Sequence, residues 1–212
     1  GSGDRAKIYQ YNGSAWTQKG PDLDGEAAAD GLGDSVAISG DGNTVAAGSM
    51  SNDPTGGVQN NGHVRVYNWN GSTWVQKGQD IDGLGNSEKI GAYLSMATDG
   101  STIAVGGQGV VRVYSYNGTT WVQKGSTLSI SGQSGNIHRV SISGTGDILA
   151  IGTGSNSAYV YKWNGSAWAQ RASLTGPSNY GVAFSLNSDG SILSVGASEA
   201  NSHKGVVSIY SW

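Results

Sequence analysis

The carboxylates are the first residues whose types and spacing could do chemistry. Asp22-Leu-Asp24-Gly-Glu26, with Asp30 and Asp34 just beyond, places five of the chain's 15 Asp and Glu residues in one short connection. Asp80-Ile-Asp82-Gly83 is a partial echo. Carboxylates on alternate residues could hold a cation, or they could belong to a solvated loop in which Asp-Gly makes a turn. The equivalent stretches further on, Ser129-Ile-Ser131-Gly132 and Ser173-Leu-Thr175-Gly176, carry no carboxylate. A site general to the fold would not be missing from half of its copies, so no metal and no other cofactor is expected. The long polar stretch Ser49–Gly62 is the second candidate, and Asn52, Asp53, Gln59 and Asn60 are expected to contact a ligand together with Asp22 and Asp24. His63, His138 and His203 share no ligand spacing. No serine lies in a nucleophile elbow, and no glycine-rich loop leads into a helix as a phosphate cradle requires. No catalytic residue is therefore expected. Carboxylates gathered from different repeats could still hydrolyse a polysaccharide.

These groups sit in a chain that repeats itself. Tyr9-Gln-Tyr-Asn-Gly-Ser-Ala-Trp16 returns as Tyr67 to Trp74, Tyr114 to Trp121 and Tyr161 to Trp168, and Ile209-Tyr-Ser-Trp212 is a truncated fifth copy. The Asn-Gly pairs at Asn12, Asn70, Asn117 and Asn164 are spaced by 58, 47 and 47 residues, the mark of a repeat array. Asn-Gly is the favoured type I′ hairpin turn. With Asn and Gly as its two central residues, Tyr9 pairs with Trp16, Tyr67 with Trp74, Tyr114 with Trp121 and Tyr161 with Trp168. Such pairs pack the sheet and help to pin its register. The same asparagines match the glycosylation acceptor pattern, although the turn accounts for them first.

Between these phrases lies a second hairpin, Val36 to Gly48, Leu94 to Gly106, Val140 to Gly152 and Phe184 to Gly196, each turning at Asp-Gly or Thr-Gly. Its second strand, as in Ile148-Leu-Ala-Ile151, is apolar throughout and so buried on both faces. The unit is four strands, a and b around Asp-Gly, then c and d around Asn-Gly. Glycine is 36 of 212 residues and proline 3, which fits many tight turns, and no helical period occurs. The fold class expected is all-β, a β-propeller of four-stranded antiparallel blades. One domain covers 1–212, with blades near 35–78, 92–125, 139–172 and 182–212, the last completed by 5–19. The chain holds one c strand too many. It closes by pairing of its N- and C-terminal strands into a four-bladed monomer, or the surplus strand pairs with another chain in a homo-oligomer.

At Gly33-Asp-Ser-Val-Ala-Ile-Ser-Gly-Asp-Gly-Asn-Thr-Val-Ala-Ala-Gly48 the chain resembles the FG-GAP class of propeller repeats, the repeats of integrin α-subunit heads. Leu32-Gly33, Ile90-Gly91 and Tyr180-Gly181 stand where that family has Phe-Gly. Gly48-Ser49, Gly106-Gly107, Gly152-Thr153 and Gly196-Ala197 stand where it has Gly-Ala, while the third repeat has Asn136-Ile137 and lacks the opening glycine. The family's calcium loop does not carry over. Asp41-Gly-Asn43, Asp99-Gly-Ser101, Thr145-Gly-Asp147 and Asp189-Gly-Ser191 offer too few oxygens for the roughly six to eight that calcium takes. The resemblance implies an extracellular or cell-surface propeller used for recognition.

Composition narrows the function further. A net charge of −3 with no basic cluster argues against a nucleic-acid partner. Apolar runs of about five residues are too short to span a membrane. Cysteine is absent, which removes disulfides and thiolate chemistry without choosing a compartment. Gly1-Ser2-Gly3 reads as a cloning scar, so a native leader could have been removed. The expected function is a non-catalytic module recognising a protein or glycan. The alternatives are a structural or engineered array that self-assembles, and a polysaccharide hydrolase or lyase.

Overall fold

A computed structural model describes residues 4–26, 30–52, 60–85, 87–130, 137–153 and 156–212, with the side chains of 137 and 138 excepted. The expected contacts Asp53 and Gln59 lie outside the described residues, as does the His138 side chain. The chain begins with β1 (Arg5–Ala6), β2 (Tyr9–Tyr11), β3 (Trp16–Gln18) and β4 (Leu23–Asp24), in which β2 pairs with β3 and β1 with β4. Three blades follow. The first runs through β5 (Ser35–Ile38), β6 (Thr44–Ser49), β7 (His63–Trp69), β8 (Trp74–Gln76) and β9 (Ile81–Asp82). The second has β10 (Tyr93–Met96), β11 (Thr102–Gly106), β12 (Val110–Tyr116), β13 (Trp121–Gln123) and β14 (Leu128–Ser129). The third has β15 (Ile137–Ile142), β16 (Ile148–Thr153), β17 (Ser157–Trp163) and β18 (Trp168–Thr175). The last sheet, β19 (Tyr180–Leu186), β20 (Ile192–Ala197) and β21 (Val206–Ser211), has a short helical turn α1 (Ala200–His203) before β21. All described pairings are antiparallel and between neighbours in sequence, apart from β1–β4, β7–β9 and β12–β14.

The apolar b strands lie in the core as their pattern requires. β6, β11 and β16 are buried along their whole length, because blades cover both of their faces. The a strands stack in order, β5 on β10, β10 on β15 and β15 on β19. One close approach explains a recurring motif. A Cβ on Gly48 would collide with the Gly91 carbonyl of the next blade, and one on Gly152 with the Gly181 carbonyl. Gly48 with Gly91 and Gly152 with Gly181 are thus points where successive backbones touch.

Two expectations need correction. The aromatic partners are Tyr11–Trp16, Trp69–Trp74, Tyr116–Trp121 and Trp163–Trp168, while Tyr9, Tyr67, Tyr114 and Tyr161 face Gln18, Gln76, Gln123 and Gln170. The loop is four residues long rather than two. Asn70 donates its N–H to the Thr73 carbonyl at 3.1 Å, and its Oδ1 accepts the N–H groups of Ser72 and Thr73 at 3.0 Å each. Asn12, Asn117 and Asn164 hold their loops in the same way. The shift is two residues, so each side chain keeps its face of the sheet.

The second correction concerns closure. Among the described residues β3 pairs only with β2 and β21 only with β20, so the N-terminal strands do not complete the last sheet. The chain's two ends stay separate.

Candidate functional site

The acidic connections are brought against basic residues on the c strands. Asp22 accepts from Arg5 at 2.8 Å and from Gln18 at 2.7 Å, and Lys7 lies 3.4 Å away. Asp24 is exposed, 3.6 Å from the Arg5 Nε. The same arrangement recurs one blade on. Asp80 accepts from Arg65 at 2.9–3.1 Å and from Gln76 at 2.6 Å. In the second blade Arg112 takes Glu88 in a bidentate pair at 2.8 and 2.9 Å, and its Nε donates to Thr127 Oγ1 at 3.2 Å. In the third unit Tyr159 stands in place of the base, and the connections after Arg112 and after Tyr159 both lack a carboxylate, so that Arg112 takes its partner Glu88 from the connection before its blade.

The first blade builds something more. Glu26 reaches over from the preceding connection to bond Arg65, and its Oε2 lies 3.4 Å from Asn52 Nδ2 and 3.9 Å from His63 Nδ1. His63 opens β7 opposite both Ser49 of β6 and Asp82 of β9, and it is 1% exposed. Ser49 Oγ, Asn52 Oδ1, Asn61 Oδ1 and both ring nitrogens of His63 are buried without a hydrogen-bond partner among the described residues. Buried polar atoms left unpaired are costly, on the order of 1–3 kcal/mol each, so a cluster of five needs a reason. Burial, and then the Arg65 charge, push the His63 pKa below its ordinary value. Burial raises Asp82. Burial opposes ionisation of Asp80 too, but the bonds and charge of Arg65 outweigh it and leave its pKa lowered.

Glu26, His63 and Asp80 could each point one ligand atom at a common centre, all within 4.8 Å of one another. The fit to a metal is nevertheless poor, because the Arg65 guanidinium is bonded to both carboxylates and supplies the positive charge there. The Asp-Gly turns likewise spend their oxygens locally. Asp41 accepts from Ser39 Oγ at 2.6 Å and from Asn43 N at 3.0 Å, bonds that pull its pKa down to about 2. Asp99 and Asp189 accept the N–H of Ser101 and Ser191 at 2.9 Å each.

The aromatic rows form joints between blades. The indole N–H of Trp74, Trp121 and Trp168 donates to the carbonyl of Lys19, Lys77 and Lys124, the last residues of the preceding repeat's d strand region, at 2.6–2.8 Å. Each lysine's ammonium sits over the aromatic pair, 5.4 Å from Trp69 and Trp74 in the first case. It also donates to the next blade's turn, at Gly42, Gly100 or Gly146, at 2.8–2.9 Å. Burial lowers the pKa of Lys77 and Lys124. Arg171 takes the lysine's place over Trp212 at 5.0 Å.

Of the expected ligand contacts, Asn52 falls inside the buried cluster. Asn60 is exposed with a left-handed backbone at its edge, Lys89 N donating to its carbonyl at 3.1 Å. Asp22 and Asp24 belong instead to the N-terminal ion pairs, and His203 is exposed in α1. Sequence reading missed His63 and Arg65 as members, and the lysine joints altogether. The signals were present: Lys7, Arg65 and Arg112 hold one position two residues before Tyr9, Tyr67 and Tyr114, and Gln-Lys-Gly follows three of the tryptophans.

The stacked antiparallel sheets, of five, five, four and three described strands, define a β-propeller fold. No family model matches the chain, and no curated protein sequence matches it either. Many solved structures do. One is the crystal structure of the Myceliophteria thermophila Cps50 (Swd1) β-propeller domain, at a TM-score of 0.67 and 13% identity, covering 99% of this chain and 64% of that one. The chain spans under two thirds of that propeller's length, and no described helix is long and apolar enough to cross a membrane.

Proposed function

We propose that the chain is a non-catalytic recognition module that binds a protein or glycan at the polar cluster of its first blade. The observation that carries this reading is the set of buried atoms of Ser49, Asn52, Asn61 and His63 that have no hydrogen-bond partner among the described residues, beside the Glu26–Arg65–Asp80 ion pairs. Hydroxyl and amide groups of a ligand would satisfy such atoms, and loops carried by a rigid sheet are where propellers and similar scaffolds bind. Catalysis is not part of the proposal, since Glu26, Asp80 and Glu88 are each committed to an arginine. Membership of the FG-GAP class, and with it an extracellular or cell-surface location, is proposed on the motif resemblance alone. The test is a glycan array alongside a displayed-peptide library, repeated with Asn52→Ala and Asn61→Ala. Selective binding that both variants weaken supports the proposal, and no binding in either format overturns it. Soluble sugar released from common polysaccharides would point to the hydrolase reading instead.

A further inference from the structure

The polar cluster of the first blade occupies places that the other sheets fill differently, so the fold does not require it. His63 lies opposite Ser49 of β6 and Asp82 of β9. One blade on, Val110 faces Ser129 of β14, and Gly107, just past β11, donates its N–H to the Val110 carbonyl at 3.0 Å. In the third blade the places are Ser157, Thr153 and Thr175, and Thr153 Oγ1 donates to the Ser157 carbonyl at 3.2 Å. In the last sheet Val206 faces Ala197. None of these residues carries a charge, and only the first blade sets a histidine between a serine and a carboxylate.

The cluster is short of positive charge and of hydrogen-bond donors. Glu26, Asp80 and Asp82 bring three carboxylates, and the Arg65 guanidinium is bonded to the first two. Asp82 has neither an ion pair nor a hydrogen bond among the described residues. Burial, and then the Asp80 charge, raise its pKa, as expected of a carboxylate held beside like charge without a cation. Asn52 turns its Nδ2 toward Glu26 at 3.4 Å, which leaves Oδ1 as the unfilled atom. Asn61, whose Oδ1 is unfilled as well, borders Gly83, where an added Cβ would come 3.2 Å from the Asn61 Cβ. Gly62 joins the two, its N–H donating to the Asn52 carbonyl and its carbonyl accepting from Gly83, at 3.0 Å each. Ser49 and a neutral His63 have one donor apiece. Against them stand two amide oxygens, the Asp82 carboxylate and the bare imidazole nitrogen.

We propose that this cluster binds the ammonium group of a lysine side chain from a protein partner, which pairs with Asp82 and donates to Asn52 Oδ1 and Asn61 Oδ1. The assignment rests on the recognition reading above and narrows its ligand from protein or glycan to a basic protein segment. Three N–H donors on a slender stem match the three unfilled oxygen groups. A guanidinium presents five donors in a rigid plane, and a sugar hydroxyl brings no charge to offset Asp82. Glu26 and Asp82 are the exposed members of the cluster and meet the incoming charge, while Ser49, Asn52 and His63 are buried.

The test titrates the chain with Nα-acetyl-lysine amide and follows the Asn52 and Asn61 side-chain amides by nuclear magnetic resonance. Saturable shifts are expected, and none with the same probe acetylated at Nε, which keeps the stem and loses the charge. Added salt is expected to weaken the binding, because the attraction is between charges. Asp82→Asn keeps the shape of the site and is expected to lower the affinity for the lysine probe about tenfold or more. Asp24→Asn makes the same charge change at a carboxylate beside Arg5, outside the cluster, and is expected to leave the affinity unaltered. The two probes are compared on the unsubstituted chain, so that arm decides even where a variant fails to fold. No shift with the lysine probe, equal shifts with its acetylated form, or equal losses in Asp82→Asn and Asp24→Asn each overturn the proposal. Zinc or calcium ions moving the same signals where the lysine probe does not would overturn it in favour of a metal. A glycan or a lysine-free peptide whose binding is lost in Asn52→Ala and untouched in Asp82→Asn would overturn the lysine assignment and leave the recognition module in place.

Discussion

The indole nitrogen of Trp74 donates to the backbone carbonyl of Lys19, 2.7 Å away and 55 residues earlier in the chain. The bond ties one repeat's outermost strand to the end of the repeat before it, and the Lys19 ammonium returns the contact by bonding the Gly42 carbonyl. Trp121 with Lys77 and Trp168 with Lys124 repeat the joint. Trp16 makes no such bond among the described residues and stands exposed.

That contrast predicts unequal costs for the same substitution. Trp121→Ala removes a buried ring, its hydrogen bond and the surface over which Lys77 lies, and is expected to cost about 3–5 kcal/mol. Trp16→Ala is expected to stay within about 0.5 kcal/mol. Urea denaturation of both variants checks the difference, and equal costs would remove the joint as a stabilising element.

Gly78 turns the chain just after Lys77 with φ of +79°, and a Cβ there would come within 2.8 Å of Trp121. Gly71, in the Asn-Gly loop, has φ of +101° but open space around it. Both alanine substitutions strain the backbone by about 1 kcal/mol, and only Gly78→Ala must also displace a packed ring. It is expected to unfold at clearly lower denaturant than Gly71→Ala. The third blade shows the natural alternative. Arg171-Ala172 replaces Lys-Gly there, and β18 runs on for eight residues with a bulge instead of breaking.

How much was legible follows from what each feature depends on. Alternating and apolar runs between glycine turns are local, so strands and blade order could be read directly. Hairpin register depended on the Asn70 side chain capturing two N–H groups, which converts a two-residue turn into a four-residue loop with the same letters. Closure depends on curvature, a sum of small rotations between blades that no single residue encodes. The candidate site was half visible. Asp22 and Asp80 alternate with Lys7 and Arg65 in a pattern that comparison of the repeats exposes, but Glu26 meets Arg65 only because two connections from different strands converge. His63 looked isolated because its neighbours Ser49 and Asp82 come from the strands on either side.

Protonation of His63 sets a pH dependence. Its folded pKa is depressed by burial and by Arg65, while in the unfolded chain it titrates near about 6.5. Below that pH the unfolded chain binds the extra proton, so stability is complete above it and declines as the pH falls. Asp80 and Glu88, with lowered values, add losses of the same sign further into acid, and Asp82, with a raised one, opposes them. Melting temperature is expected to drop between pH 7 and 5.5 in the native chain and to change less in His63→Gln. Parallel profiles would show that His63 is not the group responsible.

The Arg112–Glu88 pair allows the last and most discriminating prediction. The arginine is 4% exposed and its carboxylate partner is partly buried. Removing one partner strands the other charge in a poorly solvated place, which costs about 3–5 kcal/mol, whereas replacing both with apolar residues restores much of the loss. The third unit has Tyr159, which faces Ser173, at the arginine's position. Glu88→Gln is therefore expected to be strongly destabilising, Arg112→Met comparably so, and Arg112→Met with Glu88→Leu closer to the native chain than either single variant. Chemical denaturation of the three variants completes the double-mutant cycle. If the two single losses simply add in the double variant, the pair is not acting as a unit, and the carboxylates of these connections must be explained by something other than the arginines.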